Sequence, residues 1–433
     1  MSKKTFIKGT FILTFAGLLT RLLGFFFKMY LSRLIGAEGI GLYQLIMPVC
    51  AISYAVGISG FEVATSRLVA INTSQKKHDK AHCISLLCMA LSLSICIFCC
   101  IFIRTNADFI ATKLFNNREC GPLIRIIVLS VPFSCIHCIV SSYYIGQEKT
   151  GFPAFSQLAE QIIRISSVFI MVNITHKTNA STAVLSLVIG EAGAAVISII
   201  AISLARKSKK NNINLSENMR QIFRTVIPVS VNRSTLHGLQ SLETVLIPQM
   251  LLQSGLSASE SLATYGIITG MALPIILFPA TLSNSVSLML LPSVSKCKNN
   301  IIKLKETGRN ALLFSLIFGL SCAILFVTAG APLGAFCFKE EMVADFIRVM
   351  AWLCPFIFLS STYKSMLNAL GQSTHVFINN IISESVCIFF IIFLVPTQGI
   401  YAYMIGLLCS QIINAFLQVI RYYEFIFRSS AHS

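Results

Sequence analysis

The chain is 433 residues long, 55% hydrophobic and only 12% charged, with a formal net charge of +17. Soluble domains carry about 25% charged residues, so the composition excludes a water-soluble globular protein and leaves no soluble basic domain for nucleic acid. The apolar runs reach roughly twenty residues or more, too long for the alternating strands of a membrane barrel.

The pattern predicts an all-α polytopic membrane protein with twelve spans. They fall at residues 8–32, 40–66, 82–103, 122–146, 154–175, 181–205, 222–252, 261–293, 309–333, 343–370, 374–395 and 399–424. The first span lacks a small-residue cleavage site and carries Arg21 inside its apolar run, so it reads as a retained helix. Within it Gly17, Arg21, Gly24 and Lys28 follow i, i+4, i+7, i+11 and share one helical stripe. A charge facing lipid at mid-membrane costs at least about 2.5–3.5 kcal/mol. The stripe is therefore expected to face a water-filled cavity or the protein interior. Its glycines would admit a close backbone or ligand. Two readings stay open: a cavity lining that meets an anion, or Lys28 reaching an interface while Arg21 pairs with a buried acid.

In the second span Pro48, Gly57 and Gly60 suggest a bent helix, and Glu62 follows as a candidate partner for Arg21 or Arg67. His78 and His82 read as solvated. Cys135-Ile-His-Cys138 has metal-like spacing but no second ligand pair, and the cysteines of the apolar runs behave as small apolar residues. Glu160 and Arg164 stand one helical turn apart, as in a structural intrahelical ion pair. The seventh span carries Arg233, His237, Gln240 and Thr244 at the same spacing as the first stripe, with Glu243 beside them. This second stripe fits either a shared central cavity or a polar contact satisfied within one lobe. Pro228, Pro248, Pro274, Pro279 and Pro292 mark bends in spans seven and eight.

Lys and Arg placement sets the orientation. Alternate connections give twenty-one basic residues on one side against six on the other, with the rest inside spans. This bias predicts a plasma-membrane protein with both termini in the cytoplasm. The chain also repeats itself: Pro132-Phe133, Gly146-Gln147 and Glu160 recur at a nearly constant offset as Pro355-Phe356, Gly371-Gln372 and Glu384, and Tyr43 recurs as Tyr265. Six spans per repeat preserve the topology, so the halves are two parallel lobes related by an axis along the membrane normal, with the path between them. The expected domains are residues 1–205, a basic cytoplasmic linker at 206–224, and residues 225–433.

No phosphate-binding G-x-x-x-x-G-K-[ST] loop, acidic metal pair or nucleophile–base constellation is present in a loop. An enzyme is not expected, nor a bound metal or cofactor. A coupling ion, H+ or Na+, stays open.

The segments M-S-K-K-T-F-I-K-G-T, T-R-L-L-G-F, S-R-L-I-G-A-E-G-I-G-L-Y and S-R-L-V-A, with Ala263–Pro274 and Leu291–Ser295, resemble stage V sporulation protein B-like members of the polysaccharide biosynthesis protein family. That family lies in the multidrug/oligosaccharidyl-lipid/polysaccharide (MOP) flippase superfamily, related to MurJ-type lipid II flippases. The resemblance implies a MATE-like fold and export of a lipid-linked cell-wall precursor, lipid II or a lipid-linked oligosaccharide, for the spore cortex. Thr20, Arg21, Gly24 and Phe25 match the helix-one motif of the lipid II flippases. The further basic position of that motif falls on Phe27, with Lys28 one residue later. Longer relatives carry two more helices, so a lipid groove built from them is expected to be missing.

The candidate cavity residues are Arg21, Lys28, Glu62, Arg233, His237, Gln240 and Glu243. Embedded cations outnumber embedded acids, which suits a pyrophosphate. The expected partners are the lipid-linked substrate and membrane lipids, and the chain reads as a monomer. The alternative is a proton- or sodium-coupled exporter of organic cations on the same fold, with Glu62 or Glu243 unpaired.

Overall fold

The structure, a computed structural model, describes residues 3–176, 178–204, 215–280, 294, 300–338 and 340–431. The described residues contain helices and no strand. The first helix, α1 (Lys3–Leu45), runs past the first expected span and is interrupted at Gly36, whose φ of 70° and ψ of 178° suit glycine and strain any side chain. The second expected span is broken twice, into α2 (Met47–Gly57) and α3 (Ser59–Ser74). The breaks fall at Ile46, just before Pro48, and at Ile58 between Gly57 and Gly60, where the sequence suggested a bend.

There follow α4 (His78–Thr105), the short α5 (Cys120–Ile127), α6 (Ser130–Gly146), α7 (Gly151–Thr175) and α8 (Ala180–Leu204). Then α9 (Leu215–Gln253) runs without interruption through Pro228 and Pro248. Next, α10 (Ala258–Gly266) starts on a capping box in which Ser257 and Glu260 satisfy each other's backbone N–H groups, and passes into a π-helical turn at Ile267–Ala272 just before Pro274. The remainder is α11 (Ile301–Phe338), α12 (Glu341–Met350), α13 (Leu353–Ala369), α14 (Ser373–Phe393) and α15 (Ile400–Ala431).

Nine stretches among the described residues are long and apolar enough to cross a membrane, or ten if the bent pair α12–α13 is one span. Thr14–Ser74 is one continuous apolar stretch that holds two expected spans, and α9 is more polar than the other long helices. The end of the eighth expected span, residues 281–293, lies outside the described residues, as do Lys177, Arg206–Lys210, Lys296, Lys298 and Lys339. Residues 215–224 of the expected linker are helical, so Arg220 and Arg224 lie at the start of α9.

The internal repeat is visible in the helices. The repeat-related α6 and α13 are each 17 residues long, and each follows a short amphipathic helix, α5 or α12. In one half α6 packs on α3, α4 and α8, and α7 on α8. In the other α13 packs on α11 and α15, and α14 on α15. By packing, one compact unit comprises Met1–Phe27 with Leu42–Ser241, and the other Lys28–Gly41 with Leu242–Ser433.

The first unit is centred on Ile58, Phe61, Ile84, Cys96, Val128, Cys135 and Ile139. Gly60 allows α3 to meet α9 closely, since a Cβ there would lie 2.7 Å from the Val226 carbonyl oxygen. The second unit is centred on Leu304, Tyr363, Met366, Leu367, Tyr422 and Ile426. Its two buried tyrosines are satisfied: Tyr363 donates to the Gly308 carbonyl at 2.9 Å and Tyr422 to that of Leu304 at 2.8 Å. Exposed Leu, Ile, Phe and Val cover the outer faces, such as Phe98, Ile101 and Phe102 on α4, as a lipid-facing surface requires.

Candidate functional site

The stripe on α1 fronts open space over its first two members. Arg21 is exposed, makes no ion pair with a described carboxylate, and a Cβ added to Gly17 would meet nothing within 4 Å. Gly24 has only the Gln161 side-chain nitrogen nearby, 3.8 Å from where its Cβ would sit. The expected close backbone approach at Gly17 and Gly24 is therefore absent. It occurs further along α1, where a Cβ on Gly41 would overlap the Leu262 carbonyl and one on Gly266 would lie 2.6 Å from the Gly41 nitrogen. Lys28, half-buried, packs with the other compact unit and forms no ion pair with a described residue. Arg21 and Lys28 are one stripe in sequence and parts of different units in packing.

Gln161 is a residue that sequence reasoning passed over. It is 5% exposed and its Nε2 has no hydrogen-bond partner. A buried donor left unmade costs about 1–3 kcal/mol, so an unclaimed amide beside Gly24 marks a place where a ligand group could accept. Its neighbour Glu160 drew attention by being charged; a neutral amide gives no such signal.

On α9, Arg233 and Gln240 are exposed, His237 is half-buried and hydrogen-bonds with Gln240, and a Cβ on Gly238 would meet nothing within 4 Å. This stripe also fronts open space over Arg233–Gln240. Its last member, Thr244, instead hydrogen-bonds with Tyr265.

The acids are held differently from expectation. Glu62 pairs with neither Arg21 nor Arg67; its carboxylate accepts from the Tyr54 hydroxyl at 2.6 Å, and Cys138 lies in hydrogen-bond reach of the same tyrosine. Cys135 instead meets Ser92 at 3.1 Å, so the Cys-x-His-Cys residues diverge and build no common site. Glu160 and Arg164 do form the i, i+4 ion pair along α7. Two further residues join it: Arg164 lies 3.9 Å from Glu191 on α8, and His137 on α6 places Nδ1 3.7 Å from Glu160 and 4.0 Å from Glu191. The ligand atoms of His137, Glu160 and Glu191 all lie within 4.8 Å of one another, a spacing compatible with a cation, although Arg164 already occupies the carboxylates.

The repeat partner of Glu160 sits in a second buried group. Glu384 is in hydrogen-bond reach of Glu243, which also meets Cys387, while Lys364 lies close enough to Glu384 to interact. One Glu243 carboxylate oxygen is buried with no hydrogen-bond partner. A hydrogen bond between two carboxyl groups requires a proton on one of them.

Removing one partner from a buried ion pair leaves an uncompensated charge. Arg164→Ala is expected to destabilise the protein by about 3 kcal/mol or more. Adding Glu160→Gln should recover part of that loss, and thermal unfolding of the single and double variants in detergent measures the coupling. Independent, additive losses would show that the four residues do not act as one group.

The first helix of each repeat thus carries one polar stripe, and the repeat-related Glu160 and Glu384 each sit in a separate acid group. The model of a family described as "Polysaccharide biosynthesis protein" matches residues 6–298. The chain belongs to that family. A second family model, MatE, matches residues 240–395. Stage V sporulation protein B of Bacillus subtilis is 28% identical over 96% of this chain and 83% of its own length. The lipid II flippase MurJ of the same organism is 20% identical over 84% of this chain and 72% of its own. Among solved structures, an inward-facing multidrug resistance MATE family transporter of the MOP superfamily superposes with a TM-score of 0.75 at 14% identity, covering 96% of each chain. The fold expected from the resemblance is thus the fold observed: helices throughout the described residues, in two compact units, with the fold of the MATE transporter structures and apolar spans of a multi-pass membrane protein. Of these proteins, MurJ is a flippase and the superposed MATE protein a transporter by name.

Proposed function

We propose that this MOP-superfamily transporter flips a lipid-linked cell-wall precursor, lipid II or a related lipid-linked oligosaccharide, and serves spore cortex formation. The observation that carries the reading is Arg21, exposed and without an ion-pair partner among the described residues, on a helix face where Gly17 fronts open space and Gly24 faces only the Gln161 side chain. A guanidinium held there without a carboxylate suits the pyrophosphate of such a precursor, because Arg offers two parallel donors to phosphate oxygens. Arg233 on α9, with no ion-pair partner among the described residues, supplies a second cation. Gln161 supplies a neutral donor beside Gly24. The sugar–peptide head crosses past these residues and the lipid tail stays in the bilayer. In this reading the protein works as a monomer in the plasma membrane, with both termini in the cytoplasm. Lys28 and Glu62 then serve the helix packing rather than the anion.

Coupling has two sources. Outward movement of negative charge gains about 2.3 kcal/mol per charge per 100 mV when the inside is negative. The Glu243–Glu384 group offers a place where a proton or Na+ could be exchanged as the lobes move. That same group is what an exporter of organic cations would use, so the two functions need a direct contrast. Reconstituted into liposomes, the protein is expected to move lipid II between leaflets and to leave a fluorescent organic cation untransported. Cation efflux driven by a proton or sodium gradient, with no movement of lipid II, would reverse the assignment.

A further inference from the structure

A cavity of about 610 Å³ lies in the first unit where α3, the start of α4 and the start of α9 meet. Its cations come one from each element: Arg67 from α3, Lys80 from α4 and Arg224 from α9. Neutral hydrogen-bonding groups fill the space between them, among them Asn72, Gln75 and Gln221. No acid lines the cavity, and none of the three cations pairs with a described carboxylate. The nearest acid along α9, Glu217, is exposed and accepts from Gln221 at 3.3 Å. Beside it, one open face of α9 carries Arg220, Phe223, Ile227 and Pro228, with Ile227 58% exposed. The charged pocket thus borders an exposed, partly apolar helix face, and its volume falls in the roughly 300–1,000 Å³ range of small-molecule sites.

A run of basic residues on a solvated face needs no ligand. Here the cations converge from three separate elements on one concavity without counter-charge, and repulsion among them is relieved by an anion. The exposed apolar side chains beside it, Phe223, Ile227 and Pro228, favour an amphiphile. We propose that this pocket binds the phosphate of an anionic lipid, with the head group among Arg67, Lys80 and Arg224 and the start of the chain along Phe223, Ile227 and Pro228. The site is distinct from the Arg21 stripe. It extends the flippase reading, because the loop charges assign this face to the cytoplasm, where a lipid-borne phosphate would be captured first.

The test uses the full chain carrying Arg21→Ala, so that binding at this pocket is read apart from the transport site and its outcome does not depend on whether flipping occurs. In phosphatidylcholine nanodiscs doped with phosphatidylglycerol, native mass spectrometry counts the retained phosphatidylglycerol. In undoped nanodiscs, calorimetry follows titration with pyrophosphate. Lys80→Gln with Arg224→Gln is expected to lower phosphatidylglycerol retention by about tenfold or more, since each lost contact is a charge-assisted hydrogen bond. Lys80→Arg with Arg224→Lys should retain it. Lys303→Gln with Arg309→Gln, which removes two exposed cations elsewhere, should change nothing. Phosphatidylglycerol bound without pyrophosphate assigns the site to lipid; both bound, with the same loss on neutralisation, assigns it to phosphate from either source. Equal retention by the parent and the neutralised pair, or an equal loss from the Lys303/Arg309 pair, overturns the proposal.

Discussion

Arg21→Ala is expected to lower lipid II flipping by about 10- to 100-fold, because a hydrogen bond to a charged group contributes roughly 1.5–3 kcal/mol and each 1.4 kcal/mol is tenfold. The folded protein should persist. Arg21 is exposed, makes no ion pair with a described residue, and has Gly17 beside it with nothing within 4 Å. Truncating it therefore leaves neither a cavity nor an orphaned partner. Arg21→Lys should keep a point charge while losing the two-donor geometry, and fall between wild type and alanine. Flipping measured in liposomes, alongside the yield of monodisperse protein, separates the two effects. Normal flipping by Arg21→Ala would remove the anion from the mechanism, whatever the cells tolerate.

The second large effect concerns stability. Gly41→Ala and Gly266→Ala are each expected to destabilise the second unit by about 3 kcal/mol or more, at the upper end of overpacking. The obstacle at both positions is backbone, the Leu262 carbonyl for Gly41 and the Ala37–Gly41 segment of α1 for Gly266, and backbone held inside two crossing helices cannot swing aside as a side chain does. In a membrane, where small residues let helices approach, a lost crossing is not replaced by water. Gly17→Ala and Gly238→Ala provide the contrast. Neither would meet an atom within 4 Å, and both should keep or slightly raise the unfolding midpoint. If all four variants unfold alike, the crossing at Gly41 and Gly266 does not hold the unit together.

These cases show which parts of the molecule were legible beforehand. The bend in the second span was readable because Pro48, Gly57 and Gly60 act locally, and the helix breaks at Ile46 and Ile58. The Glu160–Arg164 pair was readable because four residues make one helical turn. The partner of Glu62 was not. Charge suggested an arginine, whereas the fold brings the neutral Tyr54 hydroxyl to it. His137 and Glu191 joined Glu160 from two other helices, at a sequence separation no periodicity reports. Lys28 misled in the opposite way: helical spacing placed it with Arg21, but packing assigns it to the other unit.

The sequence by itself determined the solvent, the repeat and the polar faces of this protein. Each follows from a property carried along the chain: apolar run length, loop charge, recurring residues and the 3.6-residue turn. The tertiary structure decided what those faces meet. It left Arg21 and Arg233 without a described counter-charge, gathered acids of separate helices into two buried groups, and closed a basic pocket from three elements. The physical reason is that pairing is a property of distance in space. A buried charge takes whichever partner the helix crossings bring within a few ångströms, and those crossings are set by small residues such as Gly41, Gly60 and Gly266, which carry no charge and announce no function.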